Sequence, residues 1–201
     1  MKKKINFILS VTLIFVLMYQ PILVYANSVN PRLRNGYKWY DTPRNIYFKC
    51  DFENAEREAV RAAMNTWNAV KDPDGNSMVS MFLTTDEVYN EVEKTVSYNG
   101  WIGYCDILAI GDEIAGVKIQ LDSNQKWSTT GEADAYDVQT VVLHELGHAL
   151  GVAHCHEKSE GDGPCWSATC LTNVMNPSGK KGNINTTLKE YDTASYIVIY
   201  W

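Results

Sequence analysis

All four histidines of this 201-residue chain lie within thirteen consecutive positions, in the segment HELGHALGVAHCH that begins at residue 144. Residues 137–151 have the apolar spacing of a helix, on which His144 and His148, four positions apart, project from the same face. Two such histidines can bind one metal ion. Glu145 lies about 100° around the helix axis from His144, so its carboxylate is poorly placed to bind the same ion but well placed to hold a water molecule bound to that ion. Because a catalytic zinc site uses three protein ligands and one water molecule, a third ligand is needed.

His154 is the third candidate ligand. On a continuous helix it would lie on roughly the opposite face from His148, so the helix has to end and the chain has to turn back. Gly151 stands where this turn is needed, because glycine adopts a left-handed backbone conformation at low cost. The segment therefore predicts a metal centre formed by His144, His148 and His154. A surface position explains His156 better than a second metal site does.

The spacing H-E-x-x-H-x-x-G-x-x-H is the metzincin signature, and Met175, in the segment NVMNP, is a candidate for the methionine turn that follows it. Together with GVKIQLDSNQKW at residues 116–127, these motifs resemble the catalytic domain of a matrixin-type metalloprotease. The resemblance implies an α+β, metzincin-like fold: a twisted mixed sheet with an antiparallel edge strand, a long N-terminal helix, an active-site helix and a C-terminal helix. It also implies that Met175 lies beneath the metal, and that an edge strand carrying Val117, Ile119 and Leu121 pairs with an extended substrate.

The function that this resemblance implies is that of a secreted zinc-dependent metalloendopeptidase acting on proteins or peptides. His144, His148 and His154 would hold one catalytic Zn²⁺, and Glu145 would be the general base for the zinc-bound water that attacks the peptide carbonyl. Two alternatives remain open. One is a zinc peptidase with two histidines and a distant glutamate as ligands. The other is a secreted binding or toxin-like module in which a metal only stabilises the structure, without proteolysis.

The chain departs from the matrixin pattern in three places. No histidine precedes His144, so the structural zinc site that matrixins build mainly from histidines is not expected. Only the short polar segment at residues 27–35 separates Ala26 from the domain, so we do not expect a propeptide that maintains latency through a cysteine. Pro177 follows Met175 by two positions, where astacin-like and serralysin-like relatives have a tyrosine ligand, and no such ligand is expected.

The first 26 residues have the pattern of a secretory signal peptide. Three lysines at positions 2–4 precede an apolar run, and Val24 and Ala26 place small residues at the −3 and −1 positions of a cleavage site. An uncleaved anchor is the alternative, because the apolar run is nearly long enough to span a bilayer. We expect a signal peptide at residues 1–26, a catalytic domain at residues 27–201 and an extracellular protein.

Charge narrows the class of partners. Without the leader the chain has 15 basic and 24 acidic residues, a net charge of −9. Such a surface is a poor electrostatic match for nucleic acid or an anionic membrane, so we expect neither as a partner. We also expect a monomer, with no stable membrane insertion after cleavage. Acidic side chains can also bind Ca²⁺, and Asp112, Asp122 and Asp134 are candidates, although solvated acids or helix caps explain them equally well.

The odd number of cysteines leaves at least one thiol without an intrachain partner in an exported protein, where disulfides are expected. Cys155 is expected to pair with Cys165 or Cys170 and so brace the loop between them, which is an insertion relative to the family. Cys50 and Cys105 could form a second bridge. The connectivity stays open.

The remaining segments predict alternating strands and helices. Strands are expected at residues 45–50, 78–85 and 117–122, with one or two more within 95–110. Residues 54–70 predict a helix whose core face carries Val60, Ala63, Met64 and Trp67.

Two helix starts can also be predicted. Asp134 or Asp137 can cap the histidine-bearing helix. Near the C-terminus, Thr187 and Glu190 have the spacing of a capping box, which predicts a last helix with one side formed by Leu188, Tyr191, Ser195 and Val198.

Overall fold

A five-stranded mixed sheet and three helices form the main part of the chain that the computed structural model describes, residues 36–155 and 170–201. The strands of this sheet are β1 (Arg44–Cys50), β2 (Val79–Leu83), β3 (Glu91–Thr95), β4 (Gly103–Ile110) and β5 (Glu113–Asp122). Two short strands, β6 (Trp127–Ser128) and β7 (Tyr136–Asp137), pair with each other. The helices are α1 (Asn54–Asn68), α2 (Val138–Ala149) and α3 (Glu190–Tyr200). These elements confirm the predicted α+β class with an antiparallel edge strand.

The order of the strands in the sheet is β2-β1-β3-β5-β4. Three of the four pairings are parallel, and the β4–β5 pairing at one end is antiparallel. The prediction that Val117, Ile119 and Leu121 form the edge strand is therefore wrong. They lie in β5, between β3 and β4, and all three are fully buried. The alternation of residues 117–122 indicated one buried face correctly, but it could not show that the hairpin at Gly111 adds β4 outside β5.

Helix α1 has the predicted core face. Val60, Ala63, Met64 and Trp67 are buried, and the Trp67 indole Nε1 donates a hydrogen bond to the Leu143 carbonyl of α2 over 2.9 Å. An aromatic side chain thus packs α1 against the histidine-bearing helix and also uses its polar N–H. This contact fixes α2 relative to the core.

Helix α3 begins two residues later than the predicted capping box requires. The Lys189 backbone N–H donates to the Asp192 carboxylate over 2.8 Å, so these residues, and not Thr187 and Glu190, occupy the box positions. The buried side of the helix accordingly includes Ser195 as predicted, whereas Val198 is 58% exposed. The buried residues of the helix are Asp192, Ser195, Tyr196 and Ile199. Val198 lies about 100° around the helix axis from Ile199, so part of the predicted face points outward.

The predicted Cys50–Cys105 disulfide is wrong, since both cysteines are buried and neither forms a disulfide. Cys50 is paired with Val92 of β3, Val92 with Ile119 of β5, and Ile119 with Cys105 of β4. Three strand spacings separate the two cysteines by about 14 Å, whereas a disulfide requires Cα atoms within roughly 7 Å. Cys155 is not a free thiol, and the side chains of its two predicted partners lie outside the described residues.

Candidate metal centre

Helix α2 is capped by the second of the two predicted acids. The Asp137 carboxylate accepts a hydrogen bond from the Thr140 N–H over 2.7 Å, which satisfies one of the free donors of the first turn. Asp134 instead forms an ion pair with Lys126. Because the cap sets where α2 begins, it also sets the rotation at which His144 and His148 leave the helix.

The turn after α2 has the hydrogen bonds of a Schellman motif. Gly151 has a φ of 82°, in the left-handed region, and its N–H donates to the His148 carbonyl over 2.9 Å. The Val152 N–H donates to the Gly147 carbonyl, also over 2.9 Å. These two bonds reverse the chain directly after the helix, as the sequence predicts for Gly151, and bring His154 back to the histidines of α2.

Two aromatic side chains satisfy further carbonyls at the end of α2. The Trp39 indole Nε1 donates to the Ala149 carbonyl over 2.8 Å, and the Tyr200 hydroxyl donates to the Leu150 carbonyl over 2.9 Å. Burial raises the pKa of Tyr200 well above its ordinary value, so this hydroxyl stays a donor throughout the physiological pH range. The chain reversal is thus held by residues from both ends of the described chain.

The three predicted ligands converge on one point. The Nε2 atom of His154 lies 3.1 Å from Nε2 of His144 and 3.0 Å from Nε2 of His148. The imidazoles of His144 and His148 are perpendicular, with ring centroids 4.8 Å apart. Within the described residues this is the one group of at least three histidine, cysteine or acidic side chains whose ligand atoms are close enough to share a metal ion.

Backbone carbonyls orient two of these rings. His144 Nδ1 lies 2.7 Å from the Val174 oxygen, and His148 Nδ1 lies 2.8 Å from the Val152 oxygen. A carbonyl oxygen only accepts hydrogen bonds, so each Nδ1 must carry the proton, and in the neutral ring Nε2 keeps its lone pair. Both lone pairs therefore point to the place where the three rings meet, which is the tautomer that a metal ligand needs.

The donor set fits a zinc ion. Zn²⁺ prefers imidazole nitrogens at roughly 2.0–2.1 Å in a tetrahedral arrangement, which places neighbouring nitrogens about 3.3 Å apart. The observed separations of 3.0 and 3.1 Å are close to that value. Unprotonated nitrogens that face one another at such distances repel unless a cation lies among them, and three protein ligands leave the fourth tetrahedral position for solvent or substrate.

Glu145 is a buried carboxylate beside the histidines. Its residue is 6% exposed and lines the same cavity as His144, His148 and His154. Gly103, at the start of the edge strand β4, packs against it so closely that a Cβ atom there would lie 2.7 Å from Glu145 Oε1. Gly103 was not predicted as a site residue, since a glycine at the beginning of a strand gives no sign of what approaches it.

The methionine turn lies directly against the helix. Met175 is fully buried, and a Cβ atom added at Gly147 of α2 would overlap its sulfur atom. The Asp192 carboxylate accepts hydrogen bonds from the N–H groups of Val174 and Met175, each over 3.0 Å. Since the Val174 carbonyl also accepts from His144, Asp192 supports a ligand through one intervening residue.

Asp192 and its neighbour Tyr191 were not predicted as site residues. Burial raises the pKa of the Asp192 carboxyl, and three backbone N–H donors lower it in part. The Tyr191 hydroxyl donates to the His154 carbonyl over 3.0 Å. The first turn of α3 therefore holds both the methionine turn and the segment of the third ligand. Only the presence of an aspartate in the first turn of a largely apolar helix could have indicated this role.

A cavity of about 340 Å³ opens beside the histidines. Its walls are the beginning of β4, the first half of α2 and the segment that follows Met175; the lining includes Trp101, Tyr104, Tyr136, Thr140, Val141, Leu171, Pro177, Lys180, Asn183 and Asn185. The cavity is large enough to take a substrate side chain next to Glu145 and the three imidazoles.

The other sequence candidates have different surroundings. Asp122 accepts hydrogen bonds from Ser97, Asn124 and Gln125, and Asp112 accepts one from Tyr40. The carboxylates of the calcium candidates Asp112 and Asp122 thus already accept hydrogen bonds, and that of Asp134 forms an ion pair.

Three sequence predictions fall outside the residues or side chains that the structure describes: His156, the two candidate partners of Cys155 at positions 165 and 170, and the leader at 1–26. In the described ranges, no helix combines the length and apolar character needed to cross a membrane.

The fold and the site define a class of protein: an α+β structure with three histidines on a helix and turn that could hold a metal, a buried carboxylate beside them and a methionine packed against that helix. The Matrixin family model matches residues 49–161, which is more than half of the chain and includes all three histidines. The chain belongs to the matrixin family.

The chain is also similar to a distant relative that is named a metalloendoproteinase. Metalloendoproteinase 2-MMP of Arabidopsis thaliana is 24% identical over 136 residues, which cover 58% of this chain and 34% of the plant protein. The chain therefore matches about a third of the length of this relative.

Proposed function

We propose that this protein is a secreted zinc-dependent metalloendopeptidase that hydrolyses peptide bonds in proteins. The observation that carries the proposal is the convergence of three imidazoles, in which Nε2 of His144 and of His148 lies within 3.1 Å of His154 Nε2, on the wall of a cavity that Glu145 also lines. Membership of the matrixin family and the name of the plant relative support it. The convergence of three rings also favours a three-histidine site over a site with two histidines and a distant glutamate.

His144, His148 and His154 are the residues that hold the metal. When bound, zinc supplies a Lewis acid that lowers the pKa of a water molecule toward neutrality and polarises the peptide carbonyl. Glu145 accepts a proton from the attacking water, whose oxygen forms a bond to the carbonyl carbon. As the C–N bond breaks, Glu145 passes this proton to the leaving amine nitrogen, so the atoms and charges balance.

The substrate lies along β4 in this proposal. β4 is the outermost strand at one end of the sheet, and its first residues, Gly103 and Tyr104, line the cavity next to Glu145. An extended peptide can add to such a strand through backbone hydrogen bonds. This placement replaces the one on β5, whose two sides are already paired.

Secretion, the monomeric state and the disulfide are parts of the same proposal. The charge and apolar pattern of residues 1–26 supports export, with residues 27–201 as the catalytic domain. Cys155 is not a free thiol, which supports its pairing with Cys165 or Cys170. Ca²⁺ remains an additional candidate ligand of the acidic surface.

Glu145→Gln tests the proposal directly. The amide keeps the size of the side chain but cannot take the proton, so we expect about one zinc per chain to remain while kcat/KM on a quenched peptide falls roughly 10²–10⁴-fold. Zinc is measured by elemental analysis, and Glu58→Gln, an exposed change on α1, is the matched control. A variant that cleaves at the wild-type rate contradicts the mechanism. If the wild type binds zinc but cleaves no protein or peptide, a metal-stabilised binding module is the better explanation.

A further inference from the structure

The loop at residues 180–185 forms one wall of the cavity beside the metal centre, and it is fixed in place. The Gly182 N–H donates to the Ala135 carbonyl over 2.9 Å, and the Asn185 N–H donates to the Thr140 hydroxyl of α2 over 2.9 Å. Gly182 has a φ of 72°, and a Cβ atom there would lie 3.1 Å from the Ala133 carbonyl oxygen. The loop therefore presents a defined surface to a substrate.

Lys180 is the one lysine or arginine among the described residues that line this cavity. It is exposed, and its side chain forms no hydrogen bond or ion pair within the part of the chain that the structure describes. Other lysines form ion pairs within the protein; Lys126, for example, pairs with Glu132 and Asp134. A lysine at a cavity wall whose ammonium group has no protein partner is available to a ligand.

The acids of the cavity are already engaged. Asp137 caps α2 through the Thr140 N–H and is 6% exposed, and Glu145 lies beside the histidines. A second cation lies at the cavity wall, because the Lys181 Nζ is 5.5 Å from the ring centroid of Tyr136, which lines the cavity. Lys181 is in turn close enough to Asp134 to lower the pKa of that carboxyl. Lys180 is thus the cation whose charge is not balanced locally.

The neutral groups beside Lys180 are hydrogen-bond donors suited to a carboxylate. Asn183 lines the cavity and its side-chain amide has no hydrogen-bond partner among the described residues, and Ser178 lines the cavity as well. The Asn185 amide, by contrast, is used to hold the Thr172 and Asn173 carbonyls. Carboxylates accept hydrogen bonds from ammonium and amide N–H groups at the same time.

We propose that Lys180, assisted by the Asn183 amide, is a specificity-determining residue that favours substrates with an acidic side chain in the cavity next to the scissile bond. This inference rests on the proposed peptidase function and names a substrate class for it. The acidic side chain enters the cavity, and its carboxylate pairs with the Lys180 ammonium at the 180–185 loop.

The size of the effect follows from exposure. An ion pair open to solvent contributes little, and salt screens it further, so a preference of about 2–5-fold in kcat/KM for glutamate over glutamine is expected at low ionic strength. The net negative charge of the chain opposes the approach of acidic substrates as a whole. The preference should therefore depend on one position of the peptide and not on its total charge.

The test uses four peptides that differ at one position next to the cleaved bond, with Glu, Gln, Lys or Leu there, and the zinc-loaded full chain. We expect wild type to cleave the Glu peptide about 3-fold faster than the Gln peptide in kcat/KM, and Lys180→Glu to reverse this order and favour the Lys peptide. Lys180→Met should bring the Glu/Gln ratio to about 1. Lys181→Glu makes the same charge change one residue along and should alter the ratio much less.

Peptide binding distinguishes a failure of the specificity inference from a failure of the peptidase proposal. Anisotropy of the labelled Glu and Gln peptides is measured on the Glu145→Gln protein and on the same protein with Lys180→Glu. If peptides are cleaved but the Glu/Gln ratio is near 1 in wild type or does not change in Lys180→Glu, the specificity inference is wrong and the peptidase proposal stands. If nothing is cleaved but the Glu peptide binds more tightly through Lys180, the peptidase proposal fails and the cavity assignment survives. Without cleavage or a binding preference, both fail.

Discussion

At the scale of single residues, the site depends on groups that hold the ligands as much as on the ligands. Spacing alone identified His144, His148 and His154. It did not identify the carbonyls of Val174 and Val152, which set the tautomers of the first two rings. Such partners are backbone atoms, and no residue type in the sequence distinguishes a carbonyl that accepts from an imidazole from one that does not.

Asp192 provides the first test at this scale. Its buried carboxylate accepts from three backbone N–H groups, two of which belong to the methionine turn. Asp192→Asn removes the charge and replaces one accepting oxygen by an NH₂ group, which faces backbone N–H groups and cannot accept from them. We therefore expect a loss of about 2–3 kcal/mol in the free energy of unfolding, measured in urea. Zinc affinity should fall as well, since the Val174 carbonyl orients His144. Glu190→Gln, an exposed change on the same helical turn, is the control, and equal stability of the two variants would contradict this role.

At the scale of elements, α2 was predicted almost in full, because each of its determinants is local. The cap at Asp137 and the left-handed turn at Gly151 act within one helical turn of the helix ends. The edge of the sheet was predicted wrongly. A strand's neighbours are contributed by segments far along the chain, and the alternation of buried and exposed residues is the same for an edge strand and an inner strand of a sheet with one covered face.

Gly147 tests how tightly α2 packs on the methionine turn. In an exposed helix, Gly→Ala stabilises by up to about 1 kcal/mol. Here the added Cβ would overlap the Met175 sulfur and lie 3.0 Å from the Trp67 ring. We therefore expect Gly147→Ala to lower the free energy of unfolding by about 1–3 kcal/mol. Adding Met175→Ala to this variant should cost less than it does in wild type, as a double-mutant cycle in urea would measure; additive effects would show that the two residues do not compete for space.

Asp122 gives a pH-dependent test at the end of β5. Hydrogen bonds from the Gln125 side chain and the Ser97 N–H hold the pKa of its carboxyl below the ordinary value. A lowered pKa in the folded state means that the stabilisation is present above the ordinary pKa of about 3.9 and is lost as the pH falls through the folded-state pKa. The stability difference between wild type and Asp122→Asn should thus be largest near neutrality and shrink below about pH 4. Exposed Asp86→Asn should show no comparable trend, and a difference that grows in acid would contradict the assignment.

At the scale of the whole molecule, one metal centre connects distant parts of the chain. The residues that hold it come from α2, the turn at Gly151, the methionine turn and the first turn of α3, and Trp39 supports the end of α2 from near the start of the described chain. Binding a metal to this arrangement favours the folded chain over the unfolded chain, which lacks a preformed site.

Zinc removal should therefore lower the melting temperature. At free zinc about a thousand times its Kd the stabilisation is roughly 4 kcal/mol, or about 10 °C for a domain of this size. His154→Ala should lose most of this shift together with its bound zinc, whereas a site of two histidines and a distant glutamate would keep both. Calorimetry with and without a chelator measures the shift, which should also shrink on mild acidification because protons compete for the imidazoles.

The sequence by itself determined the parts of this protein that depend on neighbours along the chain: the α+β class, the core face of α1, the position of α2, the chain reversal at Gly151 and the convergence of three histidines. Tertiary structure decided that β4 and not β5 is the edge strand, that Cys50 and Cys105 are too far apart to pair, and that Asp192 supports the methionine turn. The physical reason is range. Periodicity and turn preferences act over a few residues, whereas strand neighbours and the partners of a buried carboxylate are chosen by how the whole core packs.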